Sequence, residues 1–277
     1  MSTPERRLGI PLRLANGAAL AAVIASLAVR QRALDRGGAL AAVLVGTLTF
    51  AAGGLAWSRV MIGFFVTGSL LSRVGQQRKR AAATQGQRGQ RDARQVLANG
   101  GLAALCAALH LVSKQHSDWS LPFLGAIASA AADTWATEIG MLSAHPPRSL
   151  RTGRPVPPGT SGAVSLLGLL GMVGGASFVA LLAPRGIPRL PIAVAGCLGA
   201  LADSLLGANL QARYSCSICH RSLEQPAHPP CPGPAQRVSG FPGLTNDAVN
   251  ALATLVGAAL ASRLGHWTRR MSASRGS

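Results

Sequence analysis

Nine Asp and Glu residues are spread through the 277-residue chain, and four of them, Asp133, Glu138, Asp203 and Asp247, lie in or beside strongly apolar stretches. A carboxylate in hydrocarbon is costly and is kept where it faces an interior cavity, a partner or an ion path. Converging carboxylates with Thr, Ser, Asn and Gln oxygens make a hard-cation site, for which Mg²⁺ is the natural occupant. The rival reading is acids at helix ends near the headgroups, where the cost is much smaller. In AIASAAADTWATEIG (126–140), Asp133 and Thr137 lie one helical turn apart, as do Thr134 and Glu138. In GCLGALADSLLGANLQ (196–211), Asp203, Gly207 and Gln211 share one helix face, with Asn209 nearby. In LTNDAVN (244–250), Asn246 adjoins Asp247, and Asp247 and Asn250 are one turn apart. The four acids are therefore expected to hold one or two Mg²⁺ ions.

Two further segments suit phosphate. RDARQVLANGG (91–101) passes from a basic loop into a helix. Arg91 and Arg94 can each grip phosphate oxygens bidentately, and Gln95 and Asn99 lie one turn apart on the same face. The rival reading makes the arginines interfacial anchors. PGTSGAVS (158–165) opens an apolar stretch, with Thr160 or Ser161 as the expected helix cap. Its Gly159–Gly162 backbone and the helix dipole favour an anion. It is not a Walker loop, because the Gly-Lys-Ser/Thr ending is absent. An ordinary capped membrane helix is the alternative.

Cys216, Cys219 and Cys231, with His228 or His220 as fourth ligand, have zinc-site spacing. A redox pair and structural thiols are the competing readings. Cys106 and Cys197 lie in apolar helices and read as small core residues.

These residues need a scaffold, and composition says which. Only 13% of residues are charged and 48% are hydrophobic, against about 25% charged in soluble domains. The charge deficit argues for a membrane protein, and the Ala/Gly-rich stretches for closely packed helices. The formal net charge is +18, but the basic residues lie between apolar spans and aromatics are only 4%. That pattern fits anchoring on anionic lipid, not nucleic-acid binding. No cleavable signal peptide is evident.

Spans of about 20 residues are expected near 10–29, 38–57, 59–75, 94–113, 121–142, 161–183, 190–211 and 244–264, the third being short. The fold expected is all-α: a single polytopic bundle of seven or eight transmembrane helices covering 1–277. A basic, flexible loop is expected at 76–93 and a Cys/His-containing loop at 212–243. With eight spans, these loops and 143–160 fall on one side, which carries sixteen Lys and Arg against eleven opposite. The positive-inside rule places that side in the cytoplasm or its equivalent.

RDARQVLANGG, ASAAADTWATEIG, PGTSGAVSLLG, GALADSLLGANLQ and NDAVN, in this order over residues 10–265, resemble the transmembrane protein 19 and phytyl-phosphate kinase family of integral membrane proteins. The CSIC…HPPC insert is similar to that of the bacterial and plastid branch. The resemblance implies phosphorylation of an isoprenoid monophosphate, phytyl or geranylgeranyl phosphate, to its diphosphate. The donor would be a nucleoside triphosphate, CTP or another, acting with Mg²⁺ within the bilayer. The residue chemistry agrees, since phosphoryl transfer needs charge neutralisation and positioning more than a covalent nucleophile. A transporter of a phosphorylated or cationic solute and a lipid-phosphate cytidylyltransferase are the alternatives.

Overall fold

The computed structural model describes residues 3–77, 79, 89–113, 118–219, 222–224, 231 and 233–274. Among them are seven helices: α1 (Thr3–Arg30), α2 (Arg36–Arg73), α3 (Ala93–Val112), α4 (Ser120–Gly140), α5 (Leu166–Leu182), α6 (Arg189–Asn209) and α7 (Asn246–Ser274). Five of them, α1, α2, α3, α6 and α7, contain stretches long and apolar enough to cross a bilayer. Exposed Leu40, Leu44, Leu55, Leu170 and Leu190 coat the outside, as lipid-facing side chains do. The helical membrane bundle expected from the sequence is borne out.

α2 covers two of the expected spans. Its 38 residues contain Gly54 at φ 56°, ψ −149°, a conformation closed to most residues with a side chain. A straight helix would put Arg36 and Arg73 about 55 Å apart. Instead both ends meet the same segments. Arg73 Nη2 donates to the Gln31 carbonyl at 2.9 Å, and Asp35 N–H donates to the Arg91 carbonyl at 3.1 Å. A Cβ on Gly68 would lie 3.2 Å from Arg91 Nη2. The chain therefore folds back at Gly54, and α2 consists of two antiparallel arms. The division falls at Gly54, slightly earlier than the boundary near 58 read from hydropathy.

α4 is the hub. Every residue from Ser120 to Ala132 except Pro122 is buried, and α4 packs against α2, α3, α5, α6 and α7. Its Ala/Gly surface lets neighbouring backbones approach closely. A Cβ on Gly257 would sit 2.6 Å from the Gly125 carbonyl oxygen, so the α4–α7 crossing depends on the missing side chain. Ser129 Oγ donates to the Ala253 carbonyl at 3.0 Å in the same interface. Gly196 packs on Ala128 and Gly199 on Ser129, so α4 and α6 run side by side in the same direction. Asp133 and Asp203 then emerge at the same level.

Three acids serve the frame. Asp35 accepts from Gly38 N–H at 2.6 Å and caps α2. Asp92 accepts from Gln95 N–H at 2.9 Å and caps α3. Asp118 accepts from the Ser120 hydroxyl and N–H and pairs with Arg269 of α7 at 3.0 Å. Burial of Asp118 pushes its carboxyl up, but the Ser120 and Arg269 contacts outweigh it and hold the group below its ordinary value of 3.8.

The connecting segments carry strands that the helical reading left out. β1 (Arg148–Ser149) pairs antiparallel with β2 (Ala163–Val164). β3 (Arg213–Cys216) lies between β4 (Ser222–Leu223) and β5 (Ala235–Ser239), both antiparallel to it. The span expected at 161–183 begins only at Leu166. Its cap is Ser165, whose Oγ accepts from Gly168 N–H at 3.1 Å, not Thr160 or Ser161. The turn before it is occupied by β2, which holds those two residues off the helix axis.

Candidate functional site

All the expected motifs converge on one end of the bundle, where the α2 arms, α3, α4, α6 and α7 meet. A cavity of about 1230 Å³ opens there. Its wall includes Arg91, Gln95, Asn99, Asp133, Thr137, Glu138, Gly159, Thr160, Ser161, Gly162, Asp203, Asn246 and Asn250. Arg94, Asn209, Gln211 and Asp247 are not on it. Gln76, Lys79, residues 158–165 and Glu224, from the three segments expected on one side of the membrane, all line this same end.

Asp203 is the key group. Its Oδ2 is shielded from solvent and accepts no hydrogen bond among the described residues. Asp133 and Glu224 lie within Coulombic reach of it. An unsatisfied buried carboxylate oxygen crowded by two like charges is an expensive arrangement. A divalent cation removes that cost, and Thr134, Ser204 and Asn250, also on the wall, offer side-chain oxygens of the kind that suit hard Mg²⁺. The residues present fit the ion expected from the sequence.

Glu138 has a different setting. Ser72 Oγ donates to its Oε1 at 3.0 Å and Lys79 Nζ to its Oε2 at 2.7 Å. Glu138 and Lys79 are only 7% and 4% exposed. Lys79 also donates to the Leu71 carbonyl at 2.7 Å. Both carboxylate oxygens are thus committed, and Glu138 fixes a cation on the cavity wall. Asp247 lies beside the cavity, within Coulombic reach of Asp92 and Arg94, and the exposed Arg94 accompanies it.

The 159–162 segment is a rigid turn. Gly159 and Gly162 take φ of 81° and 70°, and a Cβ on Gly162 would collide with the backbone of Ala208. Thr160 Oγ1 donates back to the Pro157 carbonyl at 2.7 Å. Ser161 Oγ donates to Gln211 Oε1 at 2.7 Å. Arg213 donates to the carbonyls of Ser161 and Gly207 at 2.7 and 3.1 Å. α6 ends at Asn209, so Gln211 does not continue the Asp203–Gly207 face. It is 2% exposed and anchors the turn from below. Asn209 is exposed, its side chain turned to the Leu205 carbonyl at 2.9 Å.

Arg91 reaches the cavity because Gly68 leaves it room: a Cβ there would be 3.2 Å from both Arg91 Nη2 and Thr134 Cγ2. Asn99 donates to the Gln95 carbonyl at 3.0 Å. Beyond this polar end the cavity continues as an apolar slot between α1 (Ala21, Ile24) and the two α2 arms (Val45, Gly46, Ile62, Phe65).

Lys79, Glu224 and Arg73 are among the wall residues that were not anticipated. Lys79 fell in the segment expected to be a flexible loop, though only two of the chain's 27 basic residues are Lys, which singles it out. Glu224 is one of only nine acids, set in an otherwise acid-free loop. Arg73 closes the second α2 arm and looks in sequence like an interfacial anchor.

In the Cys/His loop, the sulfurs of Cys216, Cys219 and Cys231 all lie within 4.8 Å of one another. The Ile218 and Cys219 N–H groups each donate to Cys216 Sγ at 3.4 Å. The Cys219 N–H is the main influence lowering the Cys216 thiol to about 6, with burial opposing it. His220 and His228 lie outside the described residues.

Comparison with known proteins agrees with this architecture. The chain is 31% identical to Protein PGR of Arabidopsis thaliana, over 90% of this chain and 95% of that protein. It is 32% identical to an uncharacterised membrane protein of Methanocaldococcus jannaschii, over 67% of this chain and 78% of that one. It is 27% identical to Protein VTE6, chloroplastic, of Arabidopsis thaliana, over 82% of this chain and 64% of that protein. No solved structure matches. The pattern of integral membrane protein DUF92 matches residues 19–258. With that match over most of its length and a multi-pass helical bundle to carry it, the chain belongs to the DUF92 family of integral membrane proteins.

Proposed function

We propose that this protein is a membrane phosphotransferase that converts an isoprenoid monophosphate, phytyl or geranylgeranyl phosphate, to its diphosphate at the expense of a nucleoside triphosphate. The observation that carries this reading is the two-part cavity: a polar end with the orphaned Asp203 oxygen, continuous with an apolar slot between α1 and the α2 arms. An amphiphile with a phosphate head and a hydrocarbon tail matches both halves, and the slot faces helices whose outer surfaces carry lipid-exposed leucines.

Asp133 and Asp203, with Glu224, are the groups that would hold Mg²⁺. Bound there, the ion neutralises charge on the donor and acceptor phosphates. Arg91 and Lys79 bind phosphate oxygens, Lys79 being held in place by Glu138 and the Leu71 carbonyl. The rigid Gly159–Gly162 turn bounds the site beside α6, and Asn246 and Asn250 line it from α7. An acceptor phosphate oxygen attacks the terminal phosphorus of the nucleotide. The new P–O bond forms as the bond to the β-phosphate oxygen breaks, and the nucleoside diphosphate leaves. The acceptor is already ionised near neutral pH, so positioning and charge neutralisation supply the catalysis without a strong base.

The test is product mass. Purified protein in lipid nanodiscs, given phytyl or geranylgeranyl phosphate, Mg²⁺ and each nucleoside triphosphate in turn, should form a prenyl diphosphate. Asp203→Asn should lower the rate at least about 100-fold with the fold retained. A product heavier by a nucleotide would make the protein a nucleotidyltransferase. Solute flux without nucleotide consumption would make it a transporter.

A further inference from the structure

We infer that Cys216, Cys219 and Cys231 hold one zinc ion, and that this clamp sets Glu224 on the cavity wall beside Asp203. The first part stands on the geometry of the sulfurs. Cys216 Sγ and Cys231 Sγ are 3.8 Å apart, far beyond the ~2.05 Å of a disulfide. In a tetrahedral site with Zn–S bonds of about 2.3 Å, neighbouring sulfurs are separated by roughly 3.8 Å. The third sulfur lies within the same 4.8 Å circle. The two N–H donors on Cys216 Sγ are the outer-shell bonds that orient a metal thiolate. A set of three sulfurs selects zinc over the hard cations suited to the cavity.

The second part follows from connectivity. β3, β4 and β5 have four, two and five residues, too little structure to hold itself together without a staple. Cys216 ends β3, Cys219 lies in the connection to β4, and Cys231 precedes β5. The register pairs Tyr214 with Leu223 and Ser215 with Ser222. Glu224 follows directly on the buried Leu223 and lines the cavity. Arg213, at the start of β3, is the residue that holds the Ser161 carbonyl. A metal at the open end of this sheet thus fixes both Glu224 and the 159–162 turn. The role assigned to Glu224 rests on the kinase reading; the zinc site does not.

The experiment is metal analysis of full-length protein purified under reducing, anaerobic conditions and supplied with zinc alone. About one zinc per chain is expected. Cobalt substitution should give thiolate-to-metal absorption in the near ultraviolet. Cys216→Ser and Cys231→Ser should lose both signals while keeping wild-type helical circular dichroism, and Cys197→Ser, whose thiol lies in α6, should keep them. Failure of reduced wild-type protein to retain zinc overturns the site, as does a Cys216–Cys231 disulfide found by mass. Glu224→Gln should retain zinc and raise the Mg²⁺ needed for half-maximal rate by about 10-fold or more. An unchanged Mg²⁺ requirement overturns the link to the cavity. Stoichiometric zinc in a protein inactive on every prenyl phosphate would leave the clamp standing and remove the kinase reading.

Discussion

The Lys79–Glu138 pair offers a perturbation whose size follows from the structure. Both groups are under a tenth exposed, and their atoms lie 2.7 Å apart. Glu138→Gln leaves the Lys79 ammonium buried without its carboxylate, beside the Leu71 carbonyl. Lys79→Met leaves the Glu138 carboxylate with the Ser72 hydroxyl. Breaking a buried pair from one side costs about 3–5 kcal/mol. For a domain of this size that is roughly 6–20 °C of melting temperature. Replacing both partners removes both stranded charges, so the double variant should cost about 2–3 kcal/mol less than the sum of the singles. The assay is thermal unfolding in one detergent, followed by intrinsic tryptophan fluorescence at a single scan rate, because membrane proteins seldom unfold reversibly. Single variants that shift the midpoint by less than about 3 °C, with a strictly additive double, would refute the pair as the anchor of the 71–79 segment.

Two further predictions concern the frame. The depressed Asp118 carboxyl contributes stability that is present above its ordinary value of 3.8 and is lost as pH falls through its lower folded-state value. Asp118→Asn should therefore lower the melting point at pH 7, by no more than about 1 kcal/mol because the pair is partly exposed, and the difference should vanish in strong acid. A gap that widens on acidification would contradict the assignment. The fold-back at Gly54 predicts that cysteines placed at Leu55, 72% exposed, and at Gln77 react with an impermeant maleimide from opposite faces of the membrane. Labelling of both from one face would rule it out.

Hydropathy and small-residue content were enough to read the helical membrane bundle, because lipid demands long helices wherever the chain crosses. The fold-back at Gly54 is the clearest case: the span count anticipated two crossings that merge into one helical run. What was hidden depends on chain folding outside the bilayer. Glu138 and Asp133 look equivalent in ADTWATEIG, and only the return of the 76–79 segment reveals that Glu138 is taken by Lys79. Gln211 shares helical spacing with Asp203, yet α6 stops at Asn209, and Gln211 turns under Ser161 instead. Glu224 carries no periodic signal at all; a three-stranded sheet brings it to Asp203. Thr160 and Ser161 have cap chemistry, but the pairing of β1 with β2 moves the cap to Ser165.

We propose that Asp133 and Asp203, brought level by parallel α4 and α6, share a divalent cation at the polar end of the cavity. Electron paramagnetic resonance titration of Mn²⁺ into purified protein with a non-hydrolysable nucleotide analogue tests it without relying on the lipid substrate. One or two ions should bind wild-type protein, with Asp133→Asn and Asp203→Asn each weakening the binding at least about 10-fold. Manganese bound equally by wild type and both variants would show that these two carboxylates hold no cation.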